Sequence, residues 1–137
     1  MNVDDLMAKA VQAAESARAL LIRGDADGAC NRAYYAMFDA ARAALRVAGH
    51  DVGKTHRGVL NAFNDHLVKG GPMPKEAGRL LKHAEAFRYV ADYSDNAVDL
   101  ADAHKMVEQS ESFVMTIRSI LERHDPDRDD APDMGQR

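Results

Sequence analysis

The chain has 137 residues, 46% of them hydrophobic and 29% charged, which sizes it for one globular domain with its own core. A lone cysteine, Cys30, excludes an intrachain disulfide, and neither a signal peptide nor a run of about 18 apolar residues is present, so a reduced, cytoplasmic protein with no membrane span is expected. The net charge of −4 lies mostly in Asp125 to Arg137, whose five Asp and two Arg contribute −3; the segment from His50 to His83 is instead locally basic at +3, with four histidines.

Helical spacing of Leu6, Met7, Ala10, Val11, Ala14, Ala17, Leu20 and Leu21 predicts a first helix over 4–23, opened by Asp4 and Asp5 and stopped at Gly24. Asp25 or Asp27 can cap a second helix, which runs to Gly49. Thr55 is placed to cap a third, with Val59, Leu60, Phe63 and Leu67 on its apolar side and Gly70-Gly71 as its end. Pro74 suits the first turn of a fourth helix reaching Tyr93. After a polar break at Ser94 to Asn96, a fifth carries Val98 through Leu121. No strand-like alternation competes, and the short links favour an all-α, up-and-down antiparallel bundle of about five helices. The expected domain is 1–124. Residues 125–137 mix charge with two prolines and lack apolar periodicity, so they are expected to form a disordered acidic tail.

The second helix carries two stripes. Cys30, Tyr34, Met37, Ala41, Leu45 and Ala48 form an apolar seam, which makes Cys30 a small core residue rather than a nucleophile; Arg32, Tyr35, Asp39, Arg42 and Arg46 form a polar stripe. On the fourth helix Glu85, Arg88 and Asp92 are similarly aligned. If the two polar stripes face one another, Arg32 would meet Asp92 and Arg88 would meet Asp39 or Glu85. Such pairs could fix helix register or line a cleft for phosphate and base, with tyrosines stacking. Lys54-Thr55-His56 opens the third helix, where an anion could bind, although Thr55 as a cap explains the segment equally well. The six histidines lack a paired metal-ligand spacing, so no metal and no cofactor are expected. No Gly-rich phosphate loop, nucleophile elbow or DNA-reading motif occurs.

Three segments in order, Arg32-Ala-Tyr-Tyr-Ala-Met-Phe with the Ala-Ala-Arg-Ala that follows, Lys54-Thr55-His56, and Arg88-x-x-Ala91-Asp92-Tyr93, resemble the HEPN (higher eukaryotes and prokaryotes nucleotide-binding) domain proteins, in their small stand-alone prokaryotic branch. The resemblance spans about residues 3 to 124. It implies an RNA or nucleotide ligand, a two-fold homodimer, and a partnership with a minimal nucleotidyltransferase in a toxin-antitoxin or defence pair. In the RNA-cutting families an Arg is followed a few residues later by a His; the resemblance puts Arg88, Asp92 and Tyr93 at that place, with Asp92 where the acid-base His belongs. A carboxylate is a poor general acid at neutral pH, so the motif reads as degenerate. Arg118 and His124 fit the spacing only by chance, at the end of the last helix, and Arg79 with His83 is read as a solvated pair.

The candidate ligand-binding residues are therefore Arg32, Tyr35, Asp39, Lys54, His56, Arg88 and Asp92. Tyr93, at a helix end, is the candidate for modification by a partner transferase. Two alternatives stand beside the weakened binding protein: an active, metal-independent RNA endonuclease toxin, and a non-catalytic helical dimerisation or adaptor module.

Overall fold

The computed structural model describes residues 2–123. The tail and His124 lie outside the described residues. Within them the chain forms five α-helices and one π-helical turn, with no strand: α1 (Val3–Ile22), α2 (Ala26–Val47), α3 (His56–Ala62), the π-helical turn (Phe63–Val68), α4 (Lys75–Tyr93) and α5 (Leu100–Arg123). The all-α bundle expected from periodicity is the observed fold. No helix among the described residues is long and apolar enough to cross a membrane.

The local chemistry of the helix ends explains the boundaries. Asn2 opens α1 with a reciprocal capping box, its side chain accepting from the Asp5 N–H at 2.8 Å. Of the two candidate caps for α2, Asp25 is the one used, accepting from the Gly28 N–H. Asp27 instead accepts from the Val98 N–H at 2.8 Å and ties the link before α5 to the start of α2. The fifth helix starts at Leu100 rather than Val98, because Asp99 caps it: its side chain accepts from the Ala101 N–H and its carbonyl from the Ala103 N–H. Pro74 stands just before α4 in an extended conformation rather than within its first turn.

Helix α2 is the axis of the molecule and touches every other element. Its burial therefore exceeds a single seam: besides Tyr34, Met37 and Leu45, the residues Ala33, Ala36, Phe38, Ala40 and Ala43 are also buried. Helices α1 and α2 form the most extensive pair, and α1 presents its own buried alanines at 10, 13, 14 and 17. Small side chains on both helices allow a close approach over a long contact. Helix α5 closes the other side through Met106, Val107, Phe113, Val114 and Ile117, and the Arg18 guanidinium forks onto Glu111 to tie α1 to it. Helix α4 contributes less, burying Ala77, Leu81 and Ala84.

The third predicted helix is present but changes pitch halfway. From Phe63 the hydrogen bonds lengthen to the π pattern, seen where the Lys69 N–H donates to the Asn64 carbonyl at 3.0 Å. The chain then reverses so tightly that a Cβ on Gly71 would lie 2.4 Å from the Leu67 carbonyl oxygen. Glycine is required there by space rather than by torsion.

Candidate functional site

The densest polar and aromatic cluster lies where α2, the start of α3 and the second half of α4 meet. Tyr34 is its centre. The ring is fully buried, yet its hydroxyl shares a 2.7 Å hydrogen bond with His56 Nδ1. Thr55 fixes the approach of His56, because its hydroxyl accepts from the Gly58 N–H and caps α3 immediately before that residue. The imidazole stacks on Phe38 at 4.9 Å and stands edge-on to Tyr35 at 5.8 Å between centroids. From α4, Glu85 Oε2 lies 3.9 Å from the same Nδ1. With Nδ1 held on the protein side, Nε2 is the nitrogen left for a ligand. Burial pushes the Tyr34 hydroxyl pKa well up, with the Glu85 charge adding to it and Arg88 opposing, so Tyr34 remains a neutral phenol.

Arg88 reaches the cluster from one turn further along α4. Its guanidinium carbon sits 5.3 Å from the Tyr34 ring centroid, and Nη1 donates to Asp92 Oδ2 at 3.2 Å. Burial acts to lower the guanidinium pKa, but the hydrogen bond to Asp92 and the nearby Tyr35 and Asp92 outweigh it and raise the value. Arg88 Nε is buried without a hydrogen-bond partner among the described residues. Asp92 also accepts from the Asn31 amide of α2 at 3.2 Å. Its partners are therefore Arg88 and Asn31, where the facing-stripe argument expected Arg32.

Arg32 and Asp39 belong to a different flank. The Arg32 guanidinium carbon lies 6.0 Å from the Tyr35 ring, and the side chain lines an open groove of about 500 Å³ with Lys9, Gln12, Ser16 and Arg23 of α1 and its end. Asp39 is buried and pairs with Arg42 at 3.7 Å. Burial raises its pKa, against the pull of Lys9, Arg42 and Arg32. Asp39 thus balances cations beside α1 and does not meet Arg88.

Of the remaining candidates, Lys54 is exposed ahead of α3, a helix of only seven residues. Tyr93 is 68% exposed and packs against Tyr89 at 4.8 Å on the outer side of α4. The structure therefore gathers Tyr35, His56, Arg88 and Asp92 around Tyr34, and leaves Arg32 at the edge with Asp39, Lys54 and Tyr93 apart. Sequence reasoning missed the parts played by Asn31, Tyr34 and Phe38. Tyr34 was legible only as an apolar-seam residue; the available signal was its phenol, which needs a partner when buried. Cys30 is buried as expected, and burial pushes its thiol up to about 11, away from reactivity. Among the described residues no group of three or more His, Cys, Asp or Glu is arranged to hold a metal ion.

A central helix bearing an Arg-Ala-Tyr-Tyr motif, a Thr-capped histidine and an Arg-Asp pair on a third helix, all in one helical bundle, define a HEPN-type domain. The chain belongs to the HEPN domain family, whose sequence profile matches residues 3–120. It is 35% identical to a UPF0332 protein of Gloeobacter violaceus over 119 residues, covering 85% of this chain and 94% of the relative. A UPF0332 protein of Thermotoga maritima is 30% identical over 115 residues, 83% of this chain and 86% of the relative. A protein of Methanocaldococcus jannaschii named as a candidate toxin is 31% identical over 90 residues, 66% of each chain.

Proposed function

We propose that this HEPN protein binds RNA or a nucleotide as a cytoplasmic homodimer and works beside a minimal nucleotidyltransferase in a prokaryotic toxin-antitoxin or defence pair. The observation that carries the binding role is the part-buried Arg88 guanidinium set against the Tyr34 ring beside His56. Such a guanidinium suits a phosphate oxygen, and the aromatic wall suits a base. The toxin side rests on family membership and on the name of the M. jannaschii relative. Asp92, held by Arg88 and Asn31, acts as a positioning acceptor rather than as a mobile proton donor. Tyr93, with its ring at the surface, is the candidate acceptor for nucleotide addition by the partner.

One observation favours the active endonuclease as a second reading. His56 supplies, from another helix, the imidazole that Asp92 does not. Its Nε2 would take the proton of a ribose 2′-hydroxyl; the 2′-oxygen would attack phosphorus as the bond to the 5′-oxygen breaks, and that oxygen would take a proton from water.

Calorimetric titration with uridine monophosphate, and cleavage of a mixed-sequence RNA, test both readings. Binding that Arg88→Lys weakens about tenfold or more, without RNA cleavage, supports the binding protein. Cleavage abolished by His56→Asn but kept in Asp92→Asn supports the endonuclease. Neither binding nor cleavage leaves the adaptor module. Mass spectrometry after coexpression with a neighbouring transferase tests Tyr93, and an adduct absent from Tyr93 removes that role.

A further inference from the structure

Apart from His56, the basic segment from His50 to His83 lies outside the Arg88–His56 cluster. Its cations converge in space. A cavity of about 400 Å³ lies between the α3 and π-helical segment on one side and α4 on the other, lined by Lys69, Lys75, Arg79 and Lys82 together with the amides of Asn61 and Asn64. Asp65 is the only carboxylate in that lining. It approaches Lys69 at 3.5 Å, and Arg79 leans toward Glu76 at 3.8 Å; both pairs are exposed and weak. Lys75 and Lys82 have no carboxylate within ion-pair distance among the described residues.

The cluster lies about one helical turn beyond the Leu60 and Lys82 end of the cleft. The two walls run antiparallel: His56 at the start of α3 stands opposite Glu85, whereas a Cβ on Gly78 would lie 3.4 Å from both Asn64 Oδ1 and Val68 Cγ2. Lys75, Arg79 and Lys82 share one side of α4, spread over about 10 Å at 1.5 Å per residue, and beyond them Glu85 and Arg88 turn inward toward His56 and Tyr34. A line of cations of that length, with amide donors opposite, fits about two successive phosphodiesters and exceeds what one mononucleotide needs.

We propose that the cleft between the π-helical segment and α4 holds the phosphate backbone of a single-stranded RNA, one nucleotide of which reaches the Arg88–His56 cluster; this extends the ligand-binding role proposed for that cluster. The cleft reads charge and spacing and not base identity. A fluorescent oligouridylate of about twelve nucleotides is expected to bind full-length protein more tightly than uridine monophosphate, with strong salt dependence. Lys75→Gln combined with Lys82→Gln should weaken the oligomer about tenfold. It should also flatten the slope of log affinity against log salt by about 1.4, at about 0.7 per single-strand phosphate. Mononucleotide binding and helicity should not change.

The exposed pair Lys105→Gln with Arg118→Gln removes the same charge from α5 and should leave oligomer binding intact. An oligomer affinity and salt slope unmoved by the cleft pair, or moved equally by the α5 pair, overturns the proposal. So does an oligomer that binds no tighter than the monophosphate. If the monophosphate does not bind but the oligomer binds with the expected dependence on Lys75 and Lys82, the cleft stands and the cluster's role falls.

Discussion

The two sides of α2 follow different chemistry. Toward α1 and α5 its packed seam is dry, built from alanines, Met37, Leu45 and the inert Cys30, with Asp39 and Arg32 only at its α1 edge. Toward α4 and His56 it presents Tyr34, Tyr35 and Phe38, with a histidine, a carboxylate and a guanidinium packed against them. The first side holds the bundle together through small side chains that let the helices approach closely. The second spends aromatic area on positioning polar groups, and its partner α4 buries only three residues. Stability and binding are thus separated around one helix, so substitutions on the two sides should fail in different ways.

The largest effect belongs to the dry side. Leu45→Ala opens a cavity in a site that is 1% exposed and should cost about 2–5 kcal/mol, read by chemical denaturation; a loss under about 1 kcal/mol would mean that the packing there is loose. Ala40→Leu tests overpacking. It should cost about 1–3 kcal/mol, whereas Ala86→Leu, the same change at an exposed position of α4, should stay within about 0.5 kcal/mol. Equal effects would mean that the packing around Ala40 has room to spare. Tyr34→Phe keeps the ring but removes the hydroxyl from His56 Nδ1, and should cost about 0.5–1.5 kcal/mol while shifting the His56 ring resonances in NMR spectra.

Asp39→Asn gives the smallest and most conditional effect. Burial raises the native Asp39 pKa above its unfolded value near ~3.9, so the folded state holds this proton more firmly. Its contribution to stability is present below that unfolded value and is lost as pH rises through the raised native one. The melting temperature of Asp39→Asn relative to the parent should therefore climb as pH rises from the unfolded value through the raised native one. A flat difference would mean that Lys9, Arg42 and Arg32 fully compensate the buried carboxylate.

The bundle was legible because apolar residues at three- and four-residue steps write each helix into the chain, and glycine or a polar cap writes each end. The π-helical turn was not, since Phe63 and Leu67 satisfy α spacing as well as they do the wider coil. The Arg88–Asp92 pair could be anticipated because its members lie one turn apart on one helix. Tyr34 and His56 are brought together by the fold of α3 against α2, and no local pattern encodes that meeting. The expected facing of Arg32 with Asp92 failed for the same reason: spacing ranks residues along a helix but does not fix the rotation of one helix against the next. Asp39 turned toward α1, and Asp92 found Asn31.

The single thiol, sealed in the dry side, also acts as a clock. A disulfide reagent in solution can reach Cys30 only when α2 separates from its neighbours, so the labelling rate of the folded protein divided by that of the unfolded chain gives the opening equilibrium of this region directly. Because the chain has no other cysteine, no engineering is needed to read it. A nucleotide or RNA that bridges α2 and α4 would slow the exchange in proportion to its occupancy, provided that opening disrupts its site.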